Sequence, residues 1–453
     1  MPLTKTGIHW FLTDEEVKDM REQLNVLHAQ GNYEPGKWFL SGLNQKPEVL
    51  GLALPDHMPK KVILRDITMR TAEQARGVIL TSADRLRLLR ALVEVGVSSF
   101  QLTLAGRRHG ADQLGEEIKA IKSLNPEAEI EIGGVADKEG IDRMVDRGAN
   151  CFSIQGLACY LVLPLYIQEI RRLAWEGKDW RKMANAHPKS IEEMAERNQA
   201  IIDYGHKRGV KVKTSLNMMH FATAEIIENF AREMGKAGAD YVSLHDGPGA
   251  MTPQAIGYAV TIAKKAAPKS TIGVHLHNTF GLGIARALTA VQAGAGMVEC
   301  RLNGLDSLGG GVDLTTFAAA LELLHRVDTG LRLDQFTALS RLREDISRYT
   351  LEPKHPITGS AYFTRSPEWE ESVDPFIHAT VNPSVFGNVW EEHVGQTINS
   401  WAMLNKMTKL GIPVEKAEVE AIVEEVQAEL LVRKRNLTDD EIRAIAMKVK
   451  GAA

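Results

Sequence analysis

Eight short runs rich in β-forming residues recur between residues 60 and 324, at 62–66, 98–104, 129–133, 150–154, 210–215, 241–244, 271–277 and 297–302. Amphipathic stretches such as 82–95, 225–237 and 253–267 separate them. Many of these stretches close on a glycine, at Gly96, Gly148, Gly209, Gly238 and Gly294, where a helix end favours left-handed backbone. A strand followed by a helix, repeated about eight times, covers one face of a parallel sheet and closes it on itself. The pattern predicts an α/β fold of the (β/α)8 TIM-barrel type. An open doubly wound sheet competes with it, but no G-x-G-x-x-G follows the first run.

The chain has 453 residues, which at about 150 residues per domain suggests three, although a barrel takes about 250 as one. Residues 58–328 read as the barrel domain. Residues 1–57 read as an N-terminal extension whose first helix starts at a capping box, Thr13 with Glu16. Residues 329–453 read as a mainly helical C-terminal subdomain. It passes through Pro353, Pro356, Pro367, Pro375 and Pro383 and reaches a second capping box at Thr438 and Glu441. The segment 155–209 is long for a barrel connection and holds Trp175 and Trp180, so it reads as an insertion over one rim.

Lys and Arg number 54 against 58 Asp and Glu, a balance that leaves no broad basic face for nucleic acid. Three cysteines, Cys151, Cys159 and Cys300, are too few for a disulfide framework and fit a reducing, cytoplasmic setting. The first residues, MPLTKTGIHWFLTDEE, have no apolar core of a secretory signal. The apolar stretch 151–167 is short for a membrane span and contains Gln155, Gly156 and Pro164. It reads as a buried strand and the start of a helix, with no membrane partner.

In a barrel of this kind the reactive residues gather at the C-terminal ends of the strands. Arg65 and Asp66 close the first run, His275 and His277 lie two apart on the seventh, and Asn303-Gly304 with Gly309-Gly310-Gly311 follows the eighth. Residues two apart on a strand share a face. Two imidazoles and a carboxylate form a three-point site that leaves positions open. A divalent ion there would polarise a carbonyl and stabilise an enolate oxyanion. Arg65 would add a fixed positive charge. Each signal also has a plainer reading: two same-face histidines, an aspartate capping the next helix, and a glycine turn.

The segments Leu64-Arg-Asp-Ile-Thr-Met-Arg70 with Glu73-Gln74 and Gly77-Val78, Asp246-Gly-Pro-Gly249 with Thr252-Pro253, Val274-His-Leu-His-Asn278 with Gly281-Leu-Gly283, and Asn303-Gly-Leu305 with its glycine loop resemble the motifs of the DRE-TIM metallolyases. That family includes isopropylmalate, homocitrate and citramalate synthases and hydroxymethylglutaryl-CoA lyase. The resemblance covers about residues 60–445. It implies that Asp66, His275 and His277 hold a divalent ion (Mg, Mn or Zn). On the ion an α-keto acid would condense with the enolate of an acyl-CoA, acetyl-CoA first among them. Arg65 would stabilise the alkoxide and Thr252 would hold the keto-acid carboxylate, with Gln74, Gln101, Asn217, Arg301 and Asn303 as further substrate contacts.

Pro353, Pro356-Ile-Thr-Gly359, Phe363-Thr364 and Asn382-Pro383 resemble the synthases' helical subdomain, which the lyases lack. The lyases also carry a cysteine in the loop that reads Leu305-Asp-Ser-Leu-Gly309 here. A synthase is therefore expected, with a retro-Claisen or retro-aldol lyase and a catalytically silent homologue as alternatives. The resemblance further implies a homodimer in which the extension completes the neighbouring site. The base is left between Glu370, His378 and a residue of the second subunit.

The departures from the family pattern are concentrated at the rim. Asn217 and Ser307 stand where glutamates are usual, Gln101 where an acid is usual, Gly311 where an asparagine is usual, and Arg301 where a threonine is usual. Less negative charge and an added arginine predict an anionic or larger substrate. Pointing inward, Arg301 would bind a distal carboxylate of that substrate; pointing outward, it would pair with Glu299.

Overall fold

The protein is described by a computed structural model over residues 13–30, 32–34, 38–50, 58–103, 110–133, 137–154, 176–179, 190–367 and 381–452. Eight parallel strands close into a barrel: β1 Ile63–Asp66, β2 Ser99–Leu102, β3 Glu129–Gly133, β4 Cys151–Ile154, β5 Lys211–Leu216, β6 Tyr241–Asp246, β7 Thr271–Leu276 and β8 Met297–Cys300. β8 completes the ring by pairing Cys300 with Asp66 of β1 and Glu299 with His275 of β7. The strands fall where the β-rich runs of the sequence lie, and the fold is the expected TIM barrel.

Local chemistry sets the connecting helices. After β1, the helix Ser82–Val95 starts at a reciprocal Thr81–Asp84 capping box and ends at Gly96 with φ 111°. Gly148, Gly209, Gly238 and Gly294 also have positive φ. One face of each strand is apolar and lies under helices. The helix Ile191–Lys207 comes so close to Phe152 and Val212 that a Cβ on Gly205 would stand 2.7 Å and 3.0 Å from them. Phe100, Ile130, Ile132, Val242, Leu244, Ile272, Val274 and Val298 are likewise wholly buried.

The segment 151–167 contributes β4 at its start, and its remainder lies outside the described residues, as do Trp175 and Trp180. Among the described residues no helix is long and apolar enough to cross a membrane. Near the N-terminus, Thr13 and Glu16 bond reciprocally ahead of the helix Asp14–His28.

The chain divides into two compact units, one of Met1–Leu331 with Leu342–Tyr349 and one of Arg332–Arg341 with Thr350–Ala453. The second has its own apolar core, where Met403, Met407, Ile422, Val426, Ile442 and Ala446 meet from three helices, Ser400–Lys409, Lys416–Arg433 and Asp439–Ala452. The last of these follows the Thr438–Glu441 capping box.

Candidate active site

The inward-facing positions of the strands carry charge rather than the branched apolar residues usual in such a barrel. Arg65 on β1 pairs with Glu129 and Glu131 on β3. The Lys213 ammonium on β5 lies 2.8 Å from Glu131 and also pairs with Glu299 on β8. Glu299 accepts from His275 Nδ1 at 2.6 Å, His275 Nε2 meets Arg301 Nη2 at 2.7 Å, and Arg301 Nε donates to Asp306 at 2.7 Å. The result is a chain of alternating charge that climbs the barrel from the strand starts to the rim. Removing one partner of a buried pair costs about 3–5 kcal/mol, because the other charge is left desolvated.

Arg65 is held at the lower end of this chain of charges. Its guanidinium turns down into the barrel, toward Glu129 and Tyr241 at the strand starts, with Nε on Ser99 Oγ at 3.0 Å and the Tyr241 ring 4.7 Å away. It is fully buried, with its guanidinium engaged in the lower barrel.

Asp66 does lie at the rim end of β1. Its carboxylate accepts from Thr68 N at 3.1 Å and Thr68 Oγ1 at 2.6 Å, which caps the short helix Thr68–Thr71. Burial pushes its pKa up to about 7, against the pull of the Thr68 bonds and the Arg301 charge. His275 and His277 share a face, with ring centroids 5.4 Å apart. His277 Nδ1 is buried without a hydrogen-bond partner among the described residues, and Nε2 is 3.8 Å from Asp306. Burial, and then the charge of Arg301, push His277 down to about 4 and hold His275 well below the usual imidazole range. Both rings are neutral at pH 7.

Arg301 is wholly buried and inward-facing, and it is not paired with the Glu299 carboxylate, which belongs to Lys213 and His275. The expectation that it would wait for a substrate anion meets a different finding: Asp306 is its counter-ion. The guanidinium also donates from Nη1 to the Glu299 carbonyl at 3.2 Å and the Leu276 carbonyl at 3.4 Å. It packs against Gly311, where a Cβ would stand 2.4–2.5 Å from Nε, Cδ and Cζ. Gly311 is in turn bridged to His277, and Gly310 accepts from Asn278 N at 2.8 Å. The glycine loop is therefore the bed of Arg301 as well as a turn.

The other expected contacts are dispersed. Gln101 is buried inside the barrel, donating to Glu131, with Oε1 unpartnered. Thr252 caps the helix Pro253–Ala266 by accepting from Ala255 N. Asn303, at φ 51°, accepts from Arg343 Nε at 3.2 Å. Asn217 is half-buried in the turn after β5, and Gln74 is exposed in the turn that follows Thr68–Thr71. Glu370 and His378 lie outside the described residues.

Four groups escaped the sequence reading: Asp306, Lys213, His245 and Arg70. His245, on β6, stacks on His275 with centroids 4.7 Å apart. Arg70, on the helix Thr68–Thr71, is half-buried, and its charge bears on His277, His245 and Arg301. Its Nη1 is buried with no partner among the described residues. The signal for Lys213 was in the sequence, as charges two apart on single strands: Glu129 with Glu131, Lys211 with Lys213 and Glu299 with Arg301.

Two sets of residues offer metal-type donors. Among the described residues, His245, His275 and Glu299 bring ligand atoms within 4.8 Å of one another, but the Lys213 ammonium already sits on Glu299. At the expected set, His275 keeps its proton toward Glu299, so its remaining lone pair is on Nε2, and Arg301 occupies it. Asp66 directs both oxygens at Thr68. As placed, these side chains do not fit a divalent ion at Asp66, His275 and His277.

Comparison with known proteins gives a consistent picture of the scaffold. Residues 180–342 match the HMGL-like family model. A Methanopyrus kandleri protein named as an (R)-citramalate synthase is 26% identical over 400 residues, covering 87% of this chain and 73% of its own length. A homocitrate synthase of Saccharolobus islandicus is 26% identical over 377 residues, covering 82% of this chain and 77% of its own. Hydroxymethylglutaryl-CoA lyase from Pseudomonas aeruginosa superposes with a TM-score of 0.53 at 18% identity, over 65% of this chain and 95% of that one. At that identity the likeness is one of fold.

Proposed function

From the premise that this chain carries an HMGL-like domain of the DRE-TIM type, we propose that it condenses an acyl-CoA, acetyl-CoA first among candidates, with an α-keto acid at the C-terminal rim of the barrel. The relatives named as synthases support the reaction class. One observation carries the site assignment: among the described residues, Arg70 Nη1 is a buried donor without an acceptor, and its charge bears on His277, whose Nδ1 is also buried and unpartnered there. A buried polar group left unpaired is costly, so such a pair favours a ligand that supplies both an anion and a donor. A keto-acid carboxylate answers Arg70, and a hydroxyl formed in the condensation answers His277.

The chain's own residues divide the remaining work. Asp306 and the Gly311 bed hold the Arg301 guanidinium fixed beside the two imidazoles, where it favours negative charge on a reacting oxygen. Neutral His277 offers Nδ1 as a hydrogen-bond acceptor. The low-dielectric surroundings strengthen each of these interactions.

The test is to incubate the full chain with acetyl-CoA and a panel of α-keto acids and to follow release of free thiol. Keto-acid-dependent thiol release supports the reading. No release on any member, or cleavage of a hydroxyacyl-CoA instead, would overturn it in favour of a silent homologue or a lyase.

A further inference from the structure

We propose that the guanidinium of Arg301 is the resident cation of this site, standing where a divalent ion would be held, so that the chain binds no Mg, Mn or Zn there. The binding claim stands apart from the proposed reaction; only a catalytic use of the guanidinium would rest on that reading.

Four observations converge on the same side chain. Arg301 Nη2 takes the one lone pair of His275 that a metal would need, at 2.7 Å. Its Nε engages Asp306 at 2.7 Å, and Asp306 is the carboxylate that approaches His277 at 3.8 Å. Its charge also bears on His277 and Asp66, the other two expected ligands. Nor is the position incidental: carbonyls of Leu276 and Glu299 receive Nη1, and the guanidinium packs against Gly311, where any side chain would displace it. A sequence that places an arginine at 301 and leaves 311 bare has built the socket together with its occupant.

The neighbouring donor set follows the same logic. His245, His275 and Glu299 come close enough for an ion, and the Lys213 ammonium neutralises Glu299 and Glu131 together. At both of these donor sets, among the described residues, a cation of the chain thus occupies the place an ion would take. A dication arriving at either would meet a buried positive charge at close range, where the low dielectric makes repulsion strong.

The experiment uses the full chain after dialysis against EDTA. Mn2+ is titrated in, and its free signal is followed by electron paramagnetic resonance. Elemental analysis of the protein as purified runs alongside. The wild type is expected to leave the Mn2+ signal unquenched and to carry far less than one ion per chain. Arg301→Ala should bind Mn2+ at least about 100-fold more tightly. Arg301→Gln, which removes the charge but keeps a donor for Asp306, should gain in the same direction if the alanine variant does not fold. Arg301→Lys retains a cation and should resemble the wild type. A wild type that holds one equivalent of ion tightly and loses it in His277→Ala overturns the proposal, as does a folded neutral variant that gains nothing. A chain that binds no ion and turns over no keto acid leaves this inference intact and removes only the proposed reaction.

Discussion

Arg301 Nη2 and His275 Nε2 stand 2.7 Å apart, so a buried guanidinium and a neutral imidazole share a hydrogen bond at the centre of the barrel rim. The two residues are 26 positions apart in sequence and come together because β8 pairs with β7.

The Arg301–Asp306 pair is wholly enclosed, so breaking it from either side leaves a desolvated charge. Arg301→Ala and Asp306→Ala should each destabilise the fold by about 3–5 kcal/mol. The double variant should cost clearly less than the sum, because neither charge is then orphaned. Urea denaturation of the four proteins measures this. Additive losses would mean that the pair is not coupled.

Arg70 has a different signature, since its Nη1 lacks a partner among the described residues. Arg70→Ala should raise KM for the keto acid about 10- to 100-fold, the value of one charged hydrogen bond of about 1.5–3 kcal/mol, with little change in Tm. Steady-state kinetics with thermal melts separates the two effects. An unchanged KM would remove Arg70 from the substrate site.

Gly311→Ala should act on Arg301 without touching its charge. The added Cβ would lie 2.4 Å from Nε, so the guanidinium must shift. The expected cost is about 1–3 kcal/mol of stability, with a larger loss in kcat than in binding of the acyl-CoA. Melting and kinetics on the purified variant test it. A wild-type kcat would show that the guanidinium's place does not matter to turnover.

Stability should fall as pH falls from about 6.5 toward 4. Burial holds His277 and His220 down to about 4, whereas the same groups titrate near 6.5 when the chain unfolds. Between these values the unfolded chain binds more protons, so stability increases with pH across the window and is lost on acidification. Each group contributes about 2 kcal/mol between pH 7 and pH 5. Urea denaturation at the two pH values, repeated on His220→Gln, should show the variant losing less on acidification than the wild type.

The sequence by itself determined the barrel and the rim. The eight β-rich runs, the helices between them and the glycines at helix ends are local patterns, and each is read from residues a few positions apart. The same locality put Asp66, His275 and His277 at strand ends, and it put Arg301 within reach of the mouth. Closure of the sheet decided the rest. Arg65 reads as a rim residue beside Asp66, yet its partners Glu129 and Glu131 are 64 and 66 positions away, and only the barrel brings them in from below. Lys213 and Glu299 are 86 positions apart and meet across the lumen, which makes charged strand positions tenable that in an open sheet would be solvated or unpaired. Whether Arg301 looked for a substrate anion or already had a counter-ion turned on the fold of one loop, which returns Asp306 to the guanidinium and lays Gly311 beneath it. Strand periodicity fixes which face a side chain takes; the identity of the charge waiting on that face is a property of the closed barrel.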